Sequence, residues 1–117
     1  TDGLAWFLER IERAETMILN IVAQLEQSNT DAILDVGLSK YEHREKFRQF
    51  ATIHGYEIQL HFLNIPKETR WQRVQQRNTE KGATYEFDVS QENFDFMENW
   101  FEIPSENELI GSVTITE

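Results

Sequence analysis

The residues of this 117-residue sequence that are best suited to chemistry are three arginines near its middle. They are separated by three and four positions, which places all of them on one face of a helix. A guanidinium group stays charged at neutral pH and donates two parallel hydrogen bonds, which suits the oxygens of a phosphate. The pattern Arg70, Arg73 and Arg77 therefore predicts a phosphate-binding helix. The alternative is an amphipathic helix whose arginines pair with Glu68, Glu80 or the acidic C-terminal region.

An acidic residue near the end of a predicted strand is the second candidate. Asp35 belongs to the apolar run 32–36, and ligands of open parallel sheets bind beyond the carboxyl ends of the strands. One interpretation is an acid that holds Mg²⁺ through water or orients a substrate. The other is an aspartate that caps the following turn by accepting backbone N–H bonds. The residues alone leave both interpretations open.

Several patterns of metal binding and catalysis do not occur in the sequence. There is no cysteine, and the histidines at positions 43, 54 and 61 lack metal-ligand spacing, which disfavours disulfides and zinc sites. There is also no G-x-x-x-x-G-K-[ST] sequence, whose backbone N–H groups and lysine hold the phosphates of ATP.

Charge is distributed unevenly along the chain. The net charge is −10, which disfavours non-specific nucleic-acid binding and attachment to anionic membranes. Residues 40–81 nevertheless hold nine bases and five acids, whereas residues 82–117 hold nine acids and no base. The basic middle indicates a local anion site or solvated helix faces. No apolar run approaches the roughly 20 residues of a membrane span, so a cytoplasmic protein is expected.

Hydrophobic periodicity and turn residues predict an α/β fold. Short apolar strands separated by helices of 15 to 20 residues, roughly the length of a crossover, favour parallel pairing in a layered sheet. The predicted elements are helix 4–27, strand 32–36, helix 39–53, strand 58–63, helix 66–80, a helix from Asp88 or Ser90 to Pro104, and strand 113–116.

Several of these segments resemble the small P-loop kinase-like ATPases related to the zeta toxin, polynucleotide kinase and chloramphenicol phosphotransferase families. The similarity covers roughly residues 30–112, and its C-terminal Phe-Glu-x-Pro tail is the most specific part. The matching segments are Leu34-Asp35-Val36-Gly37 with Arg44, Phe47 and Gly55, the strand 60–66, the arginine segment 73–78, the segment 87–94, and the tail 100–104 with Glu108.

The resemblance implies a three-layer P-loop NTPase-like parallel sheet and the use of ATP with Mg²⁺. Arg73 and Arg77 would be lid arginines that stabilise charge on the transferred phosphoryl group, with Arg70 assisting in nucleotide binding. Asp35 would be a catalytic, metal-side acid. Arg44 and Arg13 would approach the phosphate acceptor, a small molecule or a nucleotide-like compound.

The relatives begin with a strand, the phosphate loop, a helix and a second strand, all of which would precede Thr1. The resemblance therefore implies a fold truncated at the N-terminus, in which residues 1–117 form a single partial domain. We expect such a fragment to bind ATP weakly, to transfer nothing alone, and to self-associate into a homo-oligomer through an exposed sheet edge. The alternative is a non-enzymatic interaction module whose acidic region 82–117 docks onto a basic partner.

Overall fold

The computed structural model describes residues 3–117, which form four helices and two strands. The helices are α1 (Gly3–Leu25), α2 (Tyr41–His54), α3 (Lys67–Glu80) and α4 (Gln91–Trp100). A 3₁₀ turn, Glu26–Ser28, follows α1. The strands are β1 (His61–Leu63) and β2 (Val113–Ile115). Within this part of the chain no helix, including the 23-residue α1, has the length and apolar character needed to cross a membrane.

The two strands pair in parallel, as the alternation of strands and helices predicts. The register joins His61 to Val113 and Leu63 to Ile115, and helices α3 and α4 lie in the connection between the strands. Parallel neighbours require such a crossover because a short turn cannot return the chain to the same end of the sheet. The α/β class with parallel pairing is confirmed, and a three-layer arrangement stays a prediction.

The predicted strand 32–36 is wrong. Residues 29–39 carry neither helix nor strand, and the side chain of Ile33 is 97% exposed. An apolar run becomes a strand only where a neighbour satisfies its backbone N–H and C=O groups. Among residues 3–117 no strand pairs with this segment. Asp35 therefore does not end a strand but lies in an exposed, irregular segment.

The helices were predicted more accurately than the strands. Each of the four appears within a few residues of its expected bounds, and Ser90 rather than Asp88 caps α4 by accepting from the N–H of Asn93 at 3.1 Å. The last helix ends at Trp100, four positions before the proline expected to terminate it. The strand expected at 58–63 is confined to its last three residues.

The chain divides into two compact units. The first contains the residues up to Gly37 together with Glu45–Glu57, and the second contains Leu38–Arg44 and Ile58–Glu117. The interpretation of residues 1–117 as one partial domain stays a prediction, as does self-association through a sheet edge.

In the first unit, three buried apolar side chains are supported by polar bonds. Val22 of α1 and Phe47 and Ala51 of α2 are each less than a tenth exposed. The hydroxyl of Tyr56 donates to the carbonyl of Val22 at 2.9 Å. The buried carboxylate of Glu15 accepts from Nζ of Lys46 at 3.3 Å, which gives that buried charge a partner.

Candidate anion-binding site

Helix α3 carries the three arginines, and its sequence defines both of its ends. Pro66 precedes the helix in an extended conformation, with φ −54° and ψ 142°, and a proline there sacrifices no helical hydrogen bond. Glu68 lies in the first turn and Arg77 in the last, as the helix dipole favours. Lys81 closes the helix in the left-handed conformation, with φ 51°, and its N–H donates to the carbonyl of Arg77 at 3.0 Å.

Each nitrogen of the Arg70 guanidinium group donates a hydrogen bond within the second unit. Its Nε donates to the carbonyl of Ile65 at 2.8 Å. Its Nη1 and Nη2 donate to the two carboxylate oxygens of Glu98, with Nη2 to Oε2 at 3.1 Å. The hydrogen bond with Glu98 raises the pKa of Arg70, and the same bond lowers the pKa of Glu98. This forked pair is the strongest type of ion pair that the two side chains can form.

Contacts beside Arg70 also join α3 to α4. The ring centroids of Trp71 and Phe94 lie 5.1 Å apart, and Phe94 is buried. Cζ of Arg70 lies 5.8 Å from the centroid of the Phe94 ring. One turn earlier, Nζ of Lys67 lies 3.6 Å from Oδ1 of Asp95. An aromatic contact and two ion pairs therefore hold the first half of α3 against α4.

Arg73 and Arg77 differ from Arg70 because they are exposed and unpaired. Neither side chain makes a hydrogen bond or an ion pair with any residue in the range 3–117. The nearby carboxylate of Glu80 instead accepts from the side-chain amide of Gln76 at 2.9 Å. Like charges one helical turn apart repel each other by a few tenths of a kcal/mol, and a bound anion would relieve that repulsion.

The two alternatives predicted for the three arginines therefore apply to different residues. The alternative of pairing with the acidic C-terminal region holds for Arg70, whose partner is Glu98. For Arg73 and Arg77 none of the described carboxylates is a partner, so the prediction that they bind phosphate keeps its physical basis.

The segment that follows α3 is held to the end of that helix. The side chain of Asn78 donates to the carbonyl of Val89 at 2.8 Å and accepts from its N–H at 3.0 Å. Tyr85 donates its hydroxyl to Oδ1 of Asp88 at 2.8 Å, and Nζ of Lys81 lies 3.4 Å from the same oxygen. The hydrogen bond from Tyr85 and the charge of Lys81 lower the pKa of Asp88.

Arg44 forms a second ion pair in the same unit, and this pair is buried. Its Nε donates to Oε1 of Glu108 at 2.8 Å, its Nη1 donates to the carbonyl of Leu38 at 2.8 Å, and its side chain is only 3% exposed. Glu108 also accepts from the N–H of Ser105 at 2.9 Å. The acceptor-binding role expected for Arg44 stays a prediction, but its guanidinium already has protein partners.

The tail that follows α4 organises the start of α2. Oε1 of Glu102 accepts from the N–H of Tyr41, the first residue of α2, at 3.2 Å. The N–H of Glu102 donates to the carbonyl of Ser39 at 2.8 Å. Nζ of Lys40 lies 4.0 Å from the centroid of the Trp100 ring. The Phe-Glu-x-Pro segment therefore supplies a carboxylate that caps a helix remote from it in sequence.

The remaining predicted site residues, Asp35 and Arg13, belong to the first unit. Asp35 is exposed. Arg13 donates from Nη2 to Oε1 of Glu9 on the same helix at 2.6 Å, and both side chains are more than half exposed. Within residues 3–117 no group of three or more His, Asp or Glu side chains is arranged to hold a metal ion. The metal and acceptor roles of these two residues stay predictions.

Two carboxylates that complete these pairs, Glu98 and Glu108, were not assigned to partners from the sequence. The available signal was the charge segregation, with an acidic region 82–117 following a basic region 40–81. That segregation predicts pairing between the regions but not which acid meets which base. The partners are 28 and 64 positions apart in the sequence, beyond the reach of any helical spacing rule.

Comparison with known proteins gives one match. A family model described as an AAA domain matches residues 1–104, which include α3, α4 and most of the tail that caps α2. No curated protein and no solved structure matches the chain.

Proposed function

This chain belongs to the AAA domain family, a P-loop NTPase-like family, and on that premise we propose that it forms the lid side of a kinase-like ATP-binding protein. In this proposal Arg73 and Arg77 bind the phosphate oxygens of the nucleotide. The reaction served is transfer of a phosphoryl group to a small-molecule or nucleotide-like acceptor.

One observation carries the proposal. Arg73 and Arg77 lie one helical turn apart, are exposed, and have no acidic partner among residues 3–117, although the chain as a whole has a net charge of −10. In a protein with so many carboxylates, two neighbouring arginines without one are available for an external anion. Phosphoryl transfer depends chiefly on positioning and on neutralising charge at the phosphate, which is chemistry that guanidinium groups supply.

The residues present fit the phosphates of ATP in part. The two free guanidinium groups of the second unit match phosphate oxygens. Asp35, in the first unit, carries a carboxylate of the type that Mg²⁺ prefers, and its metal-side role is proposed from that chemistry alone. When bound, Mg-ATP supplies the phosphoryl group. The sequence holds no G-x-x-x-x-G-K-[ST] loop, so we assign to its own residues only the stabilisation of phosphate charge and propose that this chain transfers nothing alone.

For Arg44 we favour a structural contribution over contact with the acceptor. Its guanidinium is buried and donates to Glu108 and to the carbonyl of Leu38, so an acceptor would have to displace both. Arg13 is exposed and remains the better candidate for an acceptor contact. We also propose that the protein is located in the cytoplasm.

The competing function, an acidic interaction module, is less well supported. Five of the nine acids in residues 82–117 already have partners within the second unit, which leaves four for a basic partner protein. The five pairs are Asp88 with Lys81, Asp95 with Lys67, Glu98 with Arg70, Glu102 with the N–H of Tyr41, and Glu108 with Arg44. The four acids without a partner in the described residues are Glu86, Glu92, Glu106 and Glu117.

The test of the proposal follows the arginine side-chain Nε–H signals by NMR while the protein is titrated with ATP. Two charge-assisted contacts without a phosphate loop correspond to a Kd on the order of 1 mM. We expect the signals of Arg73 and Arg77 to shift together and saturate. The backbone N–H signals of α3, followed in the same titration, should saturate in the unchanged protein. In Arg73→Gln with Arg77→Gln, which has no Nε–H signal at those two positions, the backbone signals should keep their positions but lose the saturable shift.

Two further variants separate phosphate recognition from general charge. Arg73→Lys with Arg77→Lys preserves charge but loses the forked donor, so we expect roughly tenfold weaker binding. Arg10→Gln removes one positive charge, at a side chain that lies over the Trp6 ring, and should leave the ATP titration unchanged. Its matched comparison is the single replacement Arg73→Gln. If the arginine replacements lower stability without altering the titration, the arginines are structural and the interaction module becomes the better explanation.

A further inference from the structure

We propose that Arg70 and Glu98 form a positioning pair that directs α3, so that an anionic ligand of this helix is bound by Arg73 and Arg77 and not by Arg70. The inference rests on the proposed phosphate-binding function. It gives Arg70 a structural role and gives Arg73 and Arg77 the contact with the anion. It also identifies Glu98, on a different helix, as a residue on which anion binding depends.

The forked edge of Arg70 and its Nε–H are already bonded to groups of the protein. A guanidinium carries five N–H donors, and in Arg70 three of them, one on each nitrogen, donate to protein oxygens. Glu98 accepts from Nη1 and Nη2 with its two oxygens, and the carbonyl of Ile65 accepts from Nε. A phosphate that took this forked edge of Arg70 would have to displace a carboxylate that already matches its geometry.

These contacts join the start of α3 to α4. Ile65 lies immediately before Pro66, the residue that precedes the helix, so the Nε bond fixes the entry of the chain into α3. The Glu98 bond fixes the same side chain to α4. Because these bonds hold the start of α3, they fix the orientation of the helix. Arg73 and Arg77, one and two turns later, therefore lie on a defined side of it. Loss of the pair would let α3 shift and would separate the two guanidinium groups from a shared ligand.

The test uses the sign of the effect of Glu98→Gln on binding of inorganic tripolyphosphate. If Arg70 is a positioning residue, the variant loses the fork and binds about two- to fivefold more weakly than a charge-matched control. If Arg70 is a phosphate ligand restrained by Glu98, the variant releases a third guanidinium and binds more tightly. The control is Glu92→Gln, which removes an equal charge from the same helix at an exposed side chain that has no partner within residues 3–117.

Two readouts beyond affinity keep the inference falsifiable. In the unchanged protein, tripolyphosphate should shift the Nε–H signals of Arg73 and Arg77 but not that of Arg70; a saturating shift at Arg70 would overturn the inference. The exchange Arg70→Glu with Glu98→Arg should bring tripolyphosphate affinity back towards that of the unchanged protein, whereas Arg70→Glu alone should not. An exchange that folds but binds no better than Arg70→Glu alone would also count against a positioning role.

A failure of the proposed function is distinguishable from a failure of this inference. If tripolyphosphate does not bind at all, the phosphate-binding function is wrong. The positioning role is then tested without a ligand: Glu98→Gln should alter the Nε–H signals of Arg73 and Arg77, and Glu92→Gln should leave them in place. Unchanged signals in both variants would show that the Arg70–Glu98 pair directs nothing.

Discussion

Arg44 and Glu108 are 64 positions apart in the sequence, yet Nε of Arg44 donates to Oε1 of Glu108 at 2.8 Å and the two side chains are only 3% and 5% exposed. The pair joins the first turn of α2 to the segment that follows the Phe-Glu-x-Pro tail. Glu108 also accepts from the N–H of Ser105, so the carboxylate organises its own turn as well as the arginine. Removing one partner of such a buried ion pair strongly lowers the free energy of unfolding, because it leaves the other charge buried and uncompensated.

Glu108→Gln should therefore destabilise the protein by about 3 kcal/mol, because it leaves the guanidinium of Arg44 charged and buried without its counterion. The midpoint of urea unfolding measures this change. Glu106→Gln is the matched control, since Glu106 is exposed and its side chain has no partner within residues 3–117; it should change stability by less than about 0.5 kcal/mol. Equal effects of the two replacements would mean that the buried pair contributes nothing specific.

The sequence predicted local features of this region and missed the distant ones. Helical periodicity gave α2 and α3 to within a few residues, because spacing rules depend only on neighbours along the chain. Arg44 was expected to approach a substrate, because its neighbours in the sequence do not identify Glu108 as its partner. The charge asymmetry between residues 40–81 and 82–117 predicted ion pairs between the two regions. Which acid pairs with which base depends on the tertiary fold, and local sequence patterns do not contain that information.

Strand predictions show the same division. β1 and β2 were expected, as was their parallel pairing, because helical crossovers favour it. The segment 32–36 has the same apolar character but is irregular, since the described chain offers its backbone no partner. Apolar composition specifies a strand only together with a neighbouring strand, and a single segment does not carry that information.

The stability contributed by the Arg70–Glu98 pair should depend on pH in one direction. The hydrogen bond with Arg70 lowers the pKa of Glu98 in the folded protein, so the folded state binds a proton less readily than the unfolded state. The contribution is therefore present in full above the ordinary glutamate pKa and is lost as pH falls through the lowered value. Arg70 is 37% exposed and solvent screens the pair, so we expect at most about 1 kcal/mol at neutral pH.

Urea unfolding of Glu98→Gln and of the unchanged protein, from pH 7 down to pH 3, measures this dependence. The difference in unfolding free energy should be largest near pH 7 and should shrink towards the acid end. Glu86→Gln provides the control, because it removes the same charge from an exposed residue whose side chain has no partner in the described part of the chain. A difference that grows on acidification would contradict the assigned direction.

Replacing Ile33 with alanine should change the unfolding free energy by less than about 0.5 kcal/mol, because its side chain is 97% exposed and gains little from burial. The comparison is Phe47→Ala in the same unit, where the ring is only 3% exposed and its removal leaves a cavity. That replacement should cost about 3 to 5 kcal/mol in urea unfolding. If Ile33→Ala instead costs more than about 2 kcal/mol, segment 32–36 is packed in solution as the buried strand that its composition predicts, and Asp35 regains its place at a strand end.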